Sequence, residues 1–158
     1  MWENGARAIV ASRAAWANYS SEREAGLILF IRRWGPALAI MAVIFYSSSI
    51  PQATMPGIGG YWTDYAAKKF AHLVVYGLLA LAGLRGLAYG RGATLRDARW
   101  ALALAVAYGA SDELHQALVP GRGAGPLDVV FDALGAGLAL WLWPRISARG
   151  RSVQRQKD

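Results

Sequence analysis

Four stretches of this chain can cross a lipid bilayer, and two of them reach spanning length only by taking acidic residues in with them. A span needs about 20 mainly apolar residues, and the candidates are 34–50, 70–89, 99–119 and 127–143. The uninterrupted apolar runs of the last two, 100–111 and 133–143, are too short by themselves. Asp112, Glu113, His115 and Asp132 therefore belong inside the spans, near one end. A centrally placed charge costs roughly 2.5–3.5 kcal/mol on insertion scales, so such a cluster needs a compensating role in packing, binding or catalysis. The expected fold is an all-α membrane protein, a four-transmembrane-helix bundle.

Composition agrees with that environment: 158 residues, 55% apolar and 17% charged, suit a small polytopic membrane domain better than two soluble ones. Basic residues of short loops gather on the cytoplasmic side. Arg7, Arg13, Arg23, Arg32 and Arg33 precede the first span; Arg85, Arg91, Arg96 and Arg99 flank the second connection; Arg145, Arg149, Arg151, Arg155 and Lys157 follow the fourth. These are fourteen of the seventeen basic residues, which predicts that both termini are cytoplasmic. Trp34, Trp62, Trp100, Trp141 and Trp143 fall at span ends, where an amphipathic ring suits the interface. The net charge of +7 follows from this topology and from attraction to anionic head groups. No nucleic-acid motif accompanies it.

The expected organisation is a cytoplasmic or interfacial segment 1–33, a transmembrane domain 34–144 and a basic cytoplasmic tail 145–158. The first 26 residues lack the long apolar core of a cleaved signal peptide. Ala8 to Trp16 reads either as a short helix lying on the membrane surface or as a frayed tail. The basic tail has little to bury and is expected to be mobile. Without cysteine, there are no disulfides, thiol nucleophiles or thiolate metal sites. Small residues at helical spacing, Ala101, Ala105 and Gly109, then Gly86 and Gly90, then Gly135-Ala136-Gly137, read as packing surfaces.

With this topology all four spans bring polar residues to the outer leaflet. The first ends in Ser47-Ser48-Ser49. On the second, Lys69, His72 and Tyr76 are spaced three and four apart and share a face. Asp112, His115 and Gln116 do so on the third, with Glu113 rotated about 100° away; Asp128, Asp132 and Gly135 do so on the fourth. Taken singly, each residue has an ordinary structural role. A histidine near a span end is commonly interfacial, Lys69 and Arg122 can snorkel, and Asp128 can cap a helix just after Pro126. Two histidines, four carboxylates and two cations on one leaflet of so small a protein favour a polar pocket with a function.

The pattern Lys69-x-x-His72-x-x-x-Tyr76, then Asp112-Glu113-x-His115-Gln116-x-x-x-Pro120-Gly121-Arg122, then Asp128 and Gly135, resembles the VanZ-like membrane proteins. The similarity runs over about 45–142, and the block from Asp112 to Arg122 is its specific part. In that family the position of Asp132 is commonly asparagine; a buried Asp132 that stays protonated can still donate. The resemblance implies a four-helix integral protein of the bacterial cytoplasmic membrane, in a family named for a member associated with teicoplanin resistance, with proposals of action on lipid head groups in the cell envelope.

Together these readings lead to an expected enzyme that cleaves or transfers a phosphate-containing head group, with a phospholipid or polyprenyl-phosphate substrate in the outer leaflet. Arg122 and Lys69 hold phosphate oxygens. One of His72 and His115 is nucleophile or general base and the other general acid, with Asp112 and Glu113 orienting an imidazole. Tyr76, Gln116 and Asp128 complete the substrate-binding set. The residues require no cofactor. A divalent metal on the histidines with Asp112, Glu113 or Asp128 stays open, although Lys69 and Arg122 would repel a bare cation. A non-catalytic binder of a lipid or an amphiphilic antibiotic is the alternative. A transporter fits less well, because the inner halves of the spans are apolar and a conduction path needs polar stations throughout.

Overall fold

The computed structural model describes the backbone of residues 2–51, 57 and 59–155, and the side chains of 19, 21–51, 57 and 59–144. All regular structure among them is helical: α1 (Trp2–Ser48), α2 (Tyr61–Leu87), α3 (Leu95–Gln116) and α4 (Pro126–Arg155). Helix is what a bilayer permits, since each backbone donor and acceptor is satisfied within its own segment. α1, α2 and α4 each contain a stretch long and apolar enough to cross a membrane: Ser21–Ser48, Tyr61–Leu87 and Pro126–Pro144. α3 is 22 residues long but carries too many charged residues, Arg96, Asp97, Arg99, Asp112 and Glu113 among them, to qualify on the same measure.

Each helix differs in extent from the apolar run that foretold it. α2 starts nine residues before Phe70, through the aromatic stretch Tyr61, Trp62 and Tyr65. It ends at Leu87, so Gly90 lies past its end; with φ of 78° it serves the turn into α3 and does not pack a helix face. α1 runs unbroken through residues 2–33 and across Pro36, so the stretch from Ala8 to Trp16 is helical as part of one long helix and not as a separate piece. α4 likewise continues past Pro144 to Arg155, where a mobile tail was expected. In both cases the helix already exists, and adding turns to it avoids the unfavourable step of nucleation. At its start α3 is fixed by a capping box: the Thr94 hydroxyl accepts from the Asp97 amide, and the Asp97 carboxylate accepts from the Thr94 amide and hydroxyl.

Among the described residues α2 is the central helix, in contact with each of the others, while α1 packs on α2 and α3 without reaching α4. The core is built of small residues, Ala37, Ala80, Ala82, Ala105 and Ala136, around Tyr76, which is 0% exposed. α2 and α4 approach closest. A Cβ on Gly135 would overlap the Leu73 carbonyl, and one on Gly77 would lie 3.1 Å from the Gly135 carbonyl oxygen. The outward surface is the apolar one: Leu38, Val43, Phe45, Val74, Leu78, Leu104, Leu134 and Leu138 are all exposed. That inversion suits a bilayer, because a protein surrounded by water rarely leaves so large an apolar surface open.

Candidate functional site

The polar ends of α1, α2 and α3 meet at one carboxylate. Oδ2 of Asp112 accepts from the Ser48 hydroxyl at 2.9 Å, the Gln116 amide at 2.7 Å and the Tyr76 hydroxyl at 3.3 Å. The Gln116 amide also reaches the Ser48 hydroxyl at 3.2 Å. Asp112, Gln116, Ser48 and Tyr76 are all buried. Donors from three helices on a single anion are a substitute for water, which is why a charge-bearing group can sit there.

Beside this knot lies a partly open cavity of about 670 Å³ between α1 and α2, with Asp112 and Gln116 of α3 behind it. Its polar lining includes Lys68, His72, Tyr76, Asp64 and Arg122. Nδ1 of His72 lies 2.8 Å from Oδ1 of Asp132, which is 1% exposed, and the His72 ring stacks on Tyr76 with centroids 6.0 Å apart. When Asp132 is ionised, Nδ1 carries the proton and Nε2 keeps its lone pair as base or nucleophile. The carboxylate that orients an imidazole is therefore Asp132. Asp112 is occupied by its three donors, and Glu113 uses Oε2 to accept the Gly125 amide at 2.8 Å, holding the loop that leads into α4.

Other expected members of the site lie elsewhere. His115 does not line the cavity. Its ring stacks on Phe45 at 4.7 Å, and Nε2 is 3.0 Å from the Ser49 hydroxyl, so it fastens α3 to the end of α1. Lys69 is paired with Asp128, which Lys68 also approaches at 3.6 Å, and the Lys69 ammonium lies over the rings of Tyr65 and Phe131. Arg122 does reach the cavity, but its Nε donates to the Ile50 carbonyl at 3.0 Å and an Nη to the Ser47 carbonyl. It thereby closes the C-terminal end of α1, where unpaired carbonyls carry partial negative charge. Among the described residues no three histidine, aspartate or glutamate side chains gather as a metal site.

A family model described as VanZ/LLP1 matches residues 34–147. The chain belongs to the VanZ/LLP1 family. No curated protein and no solved structure matches it. The VanZ/LLP1 stretch begins at Trp34, whose ring packs on Gly86 of α2, and it contains every residue of the cavity. Together with the apolar helices, this makes the chain a VanZ-like membrane protein.

Two contributors escaped the sequence reading. Lys68, and not Lys69, is the lysine on the cavity wall. Its signal was a longer stripe on α2, through Tyr61, Asp64, Tyr65, Lys68, His72, Val75 and Tyr76, at steps of three and four. Asp132 was noted for its charge but not as the partner of His72. Its offset of four from Asp128 places it one turn deeper on the same face, and no pattern within one helix tells which neighbouring side chain it meets.

Proposed function

We propose that this VanZ/LLP1 protein acts on the phosphate-bearing head group of a membrane lipid, with His72 as the reacting imidazole. What carries this reading is the cavity that joins His72, oriented by Asp132, to the cations Lys68 and Arg122. Phosphate oxygens are held by the Lys68 ammonium and by the guanidinium donors of Arg122 that α1 leaves unused. A water or a second hydroxyl attacks phosphorus. Its proton passes to Nε2 of His72, the bond from phosphorus to the leaving oxygen breaks, and that oxygen takes a proton from solvent at the cavity mouth.

In this reading all four helices span the bacterial cytoplasmic membrane, both termini are cytoplasmic, and the cavity opens at the outer leaflet. The burial of Asp112 and Glu113 within the bundle, away from lipid, offsets part of the cost that keeps α3 from reading as a span. His115 supports the site through α1 and takes no proton.

Purified protein assayed against a panel of phospholipids and polyprenyl phosphates, with and without divalent metal, tests the proposal. His72→Ala should lower turnover by about 10²–10⁴-fold, Lys68→Ala should weaken substrate binding, and His115→Ala should retain turnover. If the parent protein releases or exchanges no head group under any condition, yet lipid still binds to the His72→Ala variant, the protein is a binder and not an enzyme.

A further inference from the structure

α1 and α2 are fastened at one end and parted at the other. At the fastened end Nε of Arg33 donates to the Gly86 carbonyl at 2.6 Å, an Nη of Arg85 donates to the Arg32 carbonyl at 2.7 Å, and the Trp34 ring fills the space beside Gly86. At the other end the two helices flank the cavity. Its wall there is apolar, with Val43 and Ile44 from α1 and Ala71 and Val75 from α2. Val43 is 62% exposed while still lining the cavity, and Ala71 is exposed as well. This rim looks outward beside Leu38, Val74 and Leu78, the surface that two membrane-crossing helices give to hydrocarbon. The end toward the α1–α2 connection is edged instead by Gly57, Tyr61 and Asp64. One cavity thus has a polar mouth at its end and an apolar gap in its side.

We propose that the gap between α1 and α2 is a lateral portal, through which a glycerophospholipid enters head group first from the bilayer while its acyl chains stay outside between Val43 and Val75. The inference rests on the head-group site proposed above and adds how its ligand arrives. A cavity of about 670 Å³ is of the size that holds a small molecule, so it takes the phosphate and glycerol but leaves the hydrocarbon where it already is. A lipid moving sideways keeps its chains in an apolar medium throughout. One arriving through the polar mouth would first have to bring them into water, against the hydrophobic effect. Along α2 the charged lining residues Asp64 and Lys68 come before Ala71, toward the connection, and the residues that form the rim, Val43, Ala71 and Val75, are apolar.

The absence of cysteine from the sequence makes the portal testable by closing it. In the double variant Val43→Cys/Val75→Cys, a bis-maleimide with a cleavable linker bridges the two helices. The protein is held in nanodiscs of phosphatidylcholine with phosphatidylglycerol, and bound phosphatidylglycerol is counted by native mass spectrometry. In parallel, glycerol 3-phosphate, which needs no portal, is measured by saturation-transfer NMR. Bridging should lower phosphatidylglycerol capture at least about tenfold, leave glycerol 3-phosphate binding in place, and be reversed when the linker is cut. Ala71→Trp, a wedge in the same gap, should give the same split without any reagent. Undiminished phosphatidylglycerol capture in the bridged protein overturns the portal, as does loss of both ligands together. Failure of the unbridged protein to bind either ligand overturns the head-group site itself, a result distinct from portal failure.

Discussion

One oxygen of Asp132 lies 2.8 Å from Nδ1 of His72, and the other is buried, without a hydrogen-bond partner, beside Gly109, where an added Cβ would come within 2.7 Å of it. The carboxylate is thus wedged between the ring it orients and a helix that has left room for it. If Asp132 acts through His72, its removal should matter only while the ring is present. Asp132→Ala should lower lipid turnover in the parent protein and have no further effect in the His72→Ala background. A double-mutant cycle on turnover rates measures this, and additive losses would mean that Asp132 has a separate role.

Two glycines two residues apart on α4 should respond in opposite ways. At Gly135 a Cβ would meet the backbone carbonyl of Leu73, and backbone cannot step aside, so α2 and α4 must separate. Gly135→Ala should cost about 1–3 kcal/mol, the usual range for overpacking. Nothing lies within 4 Å of a Cβ at Gly137, and Gly137→Ala should stabilise by up to about 1 kcal/mol through helix propensity. Thermal unfolding in one detergent compares the pair.

The legibility of this fold in its sequence followed the type of signal. Apolar runs located α1 and α2, because spanning length is a property of a single segment. α3 and α4 reached that length only by admitting Asp112, Glu113 and Asp132 into a span, and the structure buries all three. Helix ends were misplaced wherever the end was set by something other than hydropathy: Thr94 with Asp97 at the start of α3, Gly90 beyond α2, and simple continuation along α1 and α4. At the site, spacing along one helix paired His72 with Tyr76 and Asp112 with Gln116, but Lys69 and His115, expected on the same stripes, turn to Asp128 and to Phe45. Partners between helices were not legible: Asp112 and Glu113 were expected to orient an imidazole, whereas the carboxylate beside His72 is Asp132, and His115 was expected at a cavity it does not line. Spacing along one helix fixes azimuth, whereas pairing between helices depends on their relative depth and rotation.

At the opposite end of the bundle, Asp97 offers a check by pH. Two hydrogen bonds from Arg91, at 2.7 and 2.8 Å, and those from Thr94 hold its carboxyl well below its ordinary value of 3.8. A group with a lowered folded-state pKa contributes stability above its ordinary value and loses that contribution as pH falls through the folded value. Amide hydrogen exchange in the first turn of α3 should therefore slow less steeply than intrinsic exchange does when pH is lowered from 5 toward 3. In Asp97→Asn, that additional opening should vanish.

Topology can be read from the same absence of cysteine that serves the cross-linking. Cysteines placed at Gly59 and Gly123 should be labelled by an impermeant reagent on intact cells, and those at Gly92 and Ser152 protected, because the basic residues gather on the side of Gly92 and Ser152. Labelling of Gly92→Cys from outside would reverse the orientation and move the cavity to the inner leaflet.

The three donors that converge on Oδ2 of Asp112 come from Ser48, Tyr76 and Gln116, one on each of three helices. Changes at these positions are therefore not independent in their effects, since each donor's worth depends on how well the other two still satisfy the shared anion. Alanine at Ser48 is tolerable while Gln116 and Tyr76 remain, and far less so once either has gone. Such a knot makes the order in which substitutions are introduced matter: the second change within these four positions should cost more than the first.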